Sequence, residues 1–265
     1  MHGAAAAAAG VLAWAWFEAG WVRLRVLACP VPGLPKELAG LRIAHLSDLH
    51  LGVPSRGEQA AERAVDWIVE RRPDLVCVTG DVLTRPAGLA RARELLARLP
   101  GAVTVLGNHD VGIAKDPLVA RSDHLDLGAV TVLRDESLGV DLRNRRVQLV
   151  GVDPRSMMGK RARPAELADP GADLRILLCH FPQVVVSLPP GAFQLTLAGH
   201  VHDGQINIPY GRGKIRLGEP RARYPSGLYR TPAGTLHVSP GLGTTLVPFR
   251  FFARPEATEL LLETA

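Results

Sequence analysis

Ala102-Val103-Thr104-Val105-Leu106-Gly107-Asn108-His109-Asp110 is the stretch on which the reading of this 265-residue chain turns. A β-branched apolar run that stops at glycine reads as a buried strand ending in a tight turn. The turn projects an amide, an imidazole and a carboxylate from one strand end, the edge where ligands collect in open α/β sheets. Alone, Gly-Asn is ordinary turn chemistry and a histidine there is as readily a solvated one. Four other strand ends carry the same kinds of atom: Asp48-Leu49-His50, Gly80-Asp81, His180 and Gly199-His200-Val201-His202.

On the N-terminal side, residues 41–47 read as the first core strand and run straight into Asp48-Leu49-His50. Helical spacing of Ala60, Ala64, Val65, Ile68 and Val69 predicts a helix over 57–71, ended by Pro73. Residues 74–79 read as a second buried strand leading into Gly80-Asp81, and a second helix over 87–99 leads to Pro100-Gly101. Strand, helix, strand, helix, strand is the pattern of a parallel α/β core, with all three strand ends on one edge. Asp48 and His50, like His200 and His202, stand at i and i+2 and leave an extended chain on the same side. His45, inside its strand, reads as a satisfied core or sheet-face histidine.

From Gly128 onward the texture changes. Short alternating segments at 129–133, 138–142 and 147–152 predict a second sheet with hairpin turns. Residues 153–169 read as loop with a short helix near 164–168. Residues 174–179 form another buried strand ending at His180-Phe181-Pro182, and 193–198 repeat the scheme up to Gly199. The Gly- and Pro-rich stretch 205–235 reads as short strands and loops.

A 47% hydrophobic content supports one full core, and a net charge of +5 carried mostly by arginine favours anionic partners. No dense Lys/Arg run or interleaved aromatic patch marks a nucleic-acid groove, so nucleic acid is not an expected partner. Cys77 and Cys179 sit in apolar strands and read as buried free thiols. Residues 3–17 are apolar and Ala-rich, shorter than the roughly 20 residues a spanning helix needs. Trp14, Trp16, Phe17 and Trp21, followed by Arg23 and Arg25, give residues 1–25 the look of a monotopic membrane anchor, with peripheral contact through residues 3–25. A helix packed on the domain that follows, or a frayed N-terminus, is the alternative. Arg23, Arg25, Lys36 and Arg42 then place the catalytic domain on the cytoplasmic side of a membrane; a soluble cytoplasmic protein is the other reading. Pro30, Pro32, Gly33 and Pro35 mark 26–40 as a linker and leave 41–265 as the catalytic domain.

Phosphate esters repel nucleophiles, and a pair of divalent cations about 3.5–4 Å apart neutralises their oxygens and activates water. Such a pair needs a bridging carboxylate, and Asp81, a lone acid behind a glycine that admits close approach, is the natural bridge. Mixed nitrogen and oxygen ligation suits Mn, Fe, Zn or Co better than Ca. Five of the nine histidines fall in these strand-end motifs, which surface chemistry does not explain.

The order D-x-H, G-D, G-N-H-D, H, G-H-x-H closely resembles the calcineurin-like metallophosphoesterase superfamily. The resemblance implies a four-layer α/β/β/α sandwich of two mixed sheets, here with an N-terminal apolar helix. It also implies a dinuclear metal-dependent phosphoesterase working through a metal-bridging hydroxide. One metal would take Asp48, His50, Asp81 and His202, the other Asp81, Asn108, His180 and His200. Two divalent ions are implied, Mn first, with Fe, Zn, Co or Mg as alternatives. His109 resembles the family's non-ligand histidine that serves the leaving oxygen, and Asp110 would orient it through a hydrogen bond. Across about 17–257 the chain looks like the bacterial YkuE/YaeI-like branch of membrane-associated phosphodiesterases. The segments that carry this are 31–35, 224–229, 239–243, 248–251 and Pro255-Glu256. A related branch hydrolyses the pyrophosphate of UDP-2,3-diacylglucosamine, so the implied substrate is a phosphodiester or pyrophosphate, a lipid-linked one included. A soluble phosphomonoesterase with the same metals is the alternative, with Arg56, Arg85 or Arg155 to meet a dianion. A non-catalytic scaffold would have lost ligands, and none is lost. The chain departs from the branch at Val201 and Asp203, where Asp203 would repel an anionic substrate or bind an extra cation. It departs again at Phe181-Pro182-Gln183, which would present a more apolar wall. The sequence leaves the oligomeric state open.

Overall fold

The computed structural model describes residues 2–99, 101–114, 116, 119 and 125–265; Pro100 of the expected Pro100-Gly101 turn lies outside them. The chain opens with α1 (His2–Ala19), β1 (Arg23–Val31), β2 (Arg42–Leu46), α2 (Gly57–Arg71), β3 (Leu75–Thr79), α3 (Leu89–Ala97) and β4 (Val103–Val105). Then come β5 (Thr131–Val132), β6 (Glu136–Leu142), β7 (Arg145–Gly151), α4 (Pro154–Met158), β8 (Leu174–Leu178) and β9 (Leu195–Ala198). It closes with β10 (Asn207–Tyr210), β11 (Gly213–Arg216), β12 (Gly227–Thr231), β13 (Gly234–Val238) and β14 (Glu256–Thr264).

Two mixed six-stranded sheets result, in the orders β1-β14-β2-β3-β4-β5 and β12-β13-β9-β8-β7-β6. Alternation along each strand sorts the side chains into layers. Ala44, Leu46, Val76 and Val78 meet Ala64, Val65 and Ile68 of α2 and Leu95 and Leu96 of α3. Ile43, Cys77, Val103 and Val105 face the other way and pack against Leu149, Ile176, Leu178, Leu195 and Leu197 of the second sheet. The outer face of that second sheet is covered thinly: Val184, Val185, Leu188 and Phe193, from short 3-10 and loop segments, lie on Val150, Leu177 and Val238. The expected α2 forms because its apolar positions share one stripe. It ends where Arg72 turns left-handed (φ 50°) and bonds back to Ile68, one residue before Pro73.

Three elements depart from the sequence reading. Residues 26–40 do not begin as a linker, since Arg23–Val31 pairs in parallel with β14 from Arg23↔Glu256 to Val31↔Thr264. Cys29 and Val31 are buried inward, and Pro30 is tolerated because β1 is an edge strand. The loop after Asp153 contains α4, which Asp153 caps by accepting the Arg155 N–H at 2.7 Å, with Pro154 in the first turn. The helix expected over 87–99 begins as a 3-10 turn at Pro86–Gly88 before α3. All three cysteines are buried and unpaired. Among the described residues, no helix is long and apolar enough to cross a membrane. The end of α1 packs on the domain through Ala15 and Ala19, while Trp14, Trp16, Phe17 and Trp21 stay about two-fifths exposed.

Candidate metal centre

The site sits on the shared edge where β2, β3, β4, β8 and β9 end. The local backbone is not the extended chain that the i, i+2 argument assumed. Asp48 (φ 53°), His50 (φ 47°), Asp81 (φ 51°), His200 (φ 73°) and His202 (φ 53°) all lie in the left-handed region. Non-glycine residues there carry strain of about 1–3 kcal/mol each and persist only where the surroundings hold them. Here the Asp48 and His50 N–H groups donate to the carbonyls of Gly80 and Asp81, both at 2.9 Å. Sharp turns, repeated at each strand end, throw the side chains into one space. Two glycines admit the crowding: a methyl group at Gly107 would overlap Asp81 Oδ1, and one at Gly199 would overlap Ser47 Oγ and Asp48.

The ligand atoms converge in overlapping groups, Asp48–His50–His202, His50–Asp81–His109 and Asp81–His180–His200, each within 4.8 Å. His50 Nε2 lies 3.0 Å from His202 Nε2, which is 3.3 Å from Asp48 Oδ1. His180 Nε2 lies 3.1 Å from Asn108 Oδ1 and 3.2 Å from His200 Nδ1. Asp81 Oδ2 stands between the two groups, 3.7 Å from His50 Nε2 and 3.2 Å from His180 Nε2. Its other oxygen accepts the His109 N–H at 2.8 Å. Asp48 is held from behind by the His200 N–H, 3.1 Å from both its oxygens.

Burial presses every group here toward neutrality, and the outcome depends on its neighbours. Burial works to raise Asp81, but His180 and the other imidazoles hold it well below the carboxylate range; His202 does the same for Asp48. Burial holds His50 well below the histidine range, and with the His180 charge it lowers His200 to about 4. His180 runs the other way: burial lowers it, yet Asp81 and Asp48 outweigh that and raise it to about 9. Ionised carboxylates beside imidazole nitrogens crowded to 3.0 Å form a donor set that fits divalent cations. Outer partners fix two of the rings. His180 Nδ1 faces the Thr79 carbonyl and His50 Nδ1 the Thr84 hydroxyl, both at 2.8 Å.

All nine expected site residues are brought to this edge, but one role is corrected. Asp110 does not orient His109. Its oxygens accept the N–H groups of Leu83 (2.8 Å) and Gly107 (2.9 Å), and His109 Nδ1 is buried without a hydrogen bond among the described residues. Burial, with Asp81 nearby, raises Asp110 to about 7. His109 Nε2 faces Asp81 Oδ2 at 4.0 Å and Thr245 Oγ1 at 3.4 Å. Asp203 is paired with Lys214 and has Arg216 at 3.8 Å, so cations of the chain itself meet its charge. Phe181 sets its ring edge-on to His180 at 5.0 Å and to His200 at 4.6 Å. Arg56 turns away to Phe17 and Gln59, whereas Arg155 reaches the Val111 carbonyl at 3.4 Å. His45 is a core histidine, bonded to Thr79 Oγ1 (2.8 Å) and His237 Nδ1 (2.7 Å). Sequence reading missed Thr84, Thr245 and Arg250, which touch His50, His109 and His202. Thr84 lies only three residues past Asp81, and Arg250 lies in the quoted 248–251 segment, so local signals existed.

Residues 41–204 match the family described as calcineurin-like phosphoesterase. Over 240 residues the chain is 30% identical to the uncharacterized metallophosphoesterase YkuE of Bacillus subtilis, covering 87% of this chain and 82% of that one. It is 27% identical over 259 residues to phosphodiesterase YaeI of Escherichia coli, covering 92% and 90%. A zebrafish (Danio rerio) transmembrane protein with metallophosphoesterase domain is 30% identical over 261 residues, covering 89% of this chain and 56% of that protein. Strand-end ligands and matched sequence agree: the chain belongs to the calcineurin-like phosphoesterase family and is a metal-dependent phosphoric ester hydrolase.

Proposed function

We propose that this chain is a two-metal phosphodiesterase acting on a phosphodiester or pyrophosphate, lipid-linked substrates included, at a membrane surface. One observation carries the reading: Asp81 Oδ2 stands between His50 Nε2 and His180 Nε2, so one carboxylate serves both ligand groups. Asp48, His50, Asp81 and His202 would hold one ion and Asp81, Asn108, His180 and His200 the other, with Mn²⁺ the first choice. Cations held there would neutralise the phosphate oxygens and acidify a water. His109 Nε2, which faces Thr245 at the cleft, would give a proton to the departing oxygen.

The lining of the cleft, about 290 Å³, supports a diester over a monoester. Among the described residues that line it are Asp116 and Glu219 but no lysine or arginine, a lining that favours the single charge of a diester over the two of a monoester. Exposed Trp14, Trp16, Phe17 and Trp21 support peripheral membrane contact by residues 3–25, and Arg23, Arg25, Lys36 and Arg42 after them favour a cytoplasmic catalytic domain. The name of the E. coli relative, a phosphodiesterase, favours the same reaction.

Protein stripped with chelator and reloaded with Mn²⁺ tests the reaction on a bis-aryl phosphodiester and an aryl monoester, with Asp81→Ala as control. Faster diester turnover that the variant loses is expected. A monoester preference would move the assignment to a phosphomonoesterase.

A further inference from the structure

Arg250 is the bulkiest side chain completely buried among the described residues. Placing a guanidinium in the interior is costly, and it persists only when its donors are well used. Here Nε and Nη2 donate to the Gly243 carbonyl at 2.9 and 2.7 Å, and Nη1 donates to the Ala253 carbonyl at 2.9 Å. Nη2 also lies 3.3 Å from His202 Nδ1. Gly243 in turn donates its N–H to the Asp48 carbonyl at 2.6 Å and packs so closely on the Asp48–His50 turn that a methyl group there would overlap the Leu49 carbonyl. The guanidinium therefore backs the Asp48, His50 and His202 group from two directions. The His180 group is held differently, through the Thr79 carbonyl.

The other end of the same residue is fastened to α1. The Arg250 N–H donates to the Ala15 carbonyl at 3.1 Å, and the Ala253 N–H donates to Glu18 Oε1 at 2.7 Å. Phe249 sets its ring edge-on to Trp16 at 6.2 Å, and Trp14 Nε1 donates to the second Glu18 oxygen at 3.0 Å. Helix, segment 249–253, guanidinium and ligand turn form one unbroken chain of contacts. We propose that Arg250 is a positioning residue that ties α1 to the Asp48–His50–His202 half of the metal centre, so that the N-terminal helix sets metal affinity in that half alone. The inference rests on the two-metal reading.

The test titrates chelator-stripped full-length protein with Co²⁺, followed by calorimetry and by the visible absorption of the bound ion. Wild type is expected to take two equivalents. Arg250→Met and Arg250→Lys should both weaken one equivalent by about 10–100-fold, the usual cost of removing a partner behind a ligand, and leave the other unchanged. Lysine keeps the charge but cannot span two carbonyls, so a loss common to both variants reads position and not charge. Tighter binding in Arg250→Met would show that the guanidinium only repels the ion, and would overturn the proposal. If that variant does not fold, Trp16→Ala and Glu18→Ala, which act from the helix side, should weaken the same equivalent; wild-type affinity in both overturns it. Two unperturbed equivalents in every variant sink this proposal alone, whereas no metal uptake by wild type removes the two-metal reading with it.

Discussion

A methyl group at position 107 has nowhere to go but into the Asp81 carboxylate, which faces both ligand groups. Gly107→Ala is expected to lower kcat/KM by about 100-fold or more, since a displacement of about 1 Å at the reacting centre costs that much. Metal analysis of the purified variant should show less than the wild-type complement; full loading at undiminished rate would contradict the geometry. Asp110 invites the opposite expectation. Its carboxylate ties the turn after β3 to the turn after β4 through the Leu83 and Gly107 N–H groups. Asp110→Asn turns one acceptor into a donor facing an N–H, and should cost about 1–3 kcal/mol in thermal or urea unfolding. The family resemblance implied that Asp110 serves His109, but the Asp110 carboxylate is spent on the Leu83 and Gly107 N–H groups. Which way it points was not legible without the backbone.

At the scale of elements, β14 is fastened to β2 and α2 by one buried acid. Glu259 accepts from Arg71 Nη2 at 2.6 Å and from Arg42 Nη2 at 2.8 Å. Burial works to raise this carboxyl, but the hydrogen bonds from the two guanidiniums win and hold it down to about 2. An unfolded glutamate titrates near about 4.3, so between those values the unfolded chain binds the extra proton and stability rises with pH. The contribution is complete above about pH 4.5 and is lost as pH falls through about 2. Glu259→Gln should therefore be less stable than wild type by about 1–3 kcal/mol near neutrality, with the gap closing as unfolding is measured toward pH 2. An equal gap at both ends would deny the pairing. β14 also explains why β1 escaped the sequence reading. Prolines at 30, 32 and 35 are genuine breakers, and only the distant partner strand, more than two hundred residues along, makes 23–31 extended. The strands at 41–47, 74–79 and 102–106 needed no such partner to be read, because each is a β-branched or apolar run that stops at its own ligand.

For the whole molecule, the legible part was the recurrence of strand, turn and ligand, which survives in one dimension because each ligand follows its strand directly. The left-handed turns at Asp48, His50, Asp81, His200 and His202, and the reach of Arg250 from the far side, depend on elements meeting in space and left little trace in local pattern. That same convergence makes metal part of the fold's energetics. The site gathers two ionised carboxylates and five buried or half-buried imidazoles, and each cation bound only by the native state stabilises it by mass action. At a free concentration 100 times the dissociation constant the gain is about 2.7 kcal/mol per ion, or about 5–10 °C in Tm for a chain of this size. Chelator should lower Tm by at least that amount, and Mn²⁺ in excess should restore it. Asp81→Ala tests whether one carboxylate serves both ions: with the bridge gone, excess Mn²⁺ should raise Tm by less than half the wild-type shift, because both ions lose a ligand at once. Half the shift or more would mean that Asp81 belongs to a single ion and that the two groups bind independently.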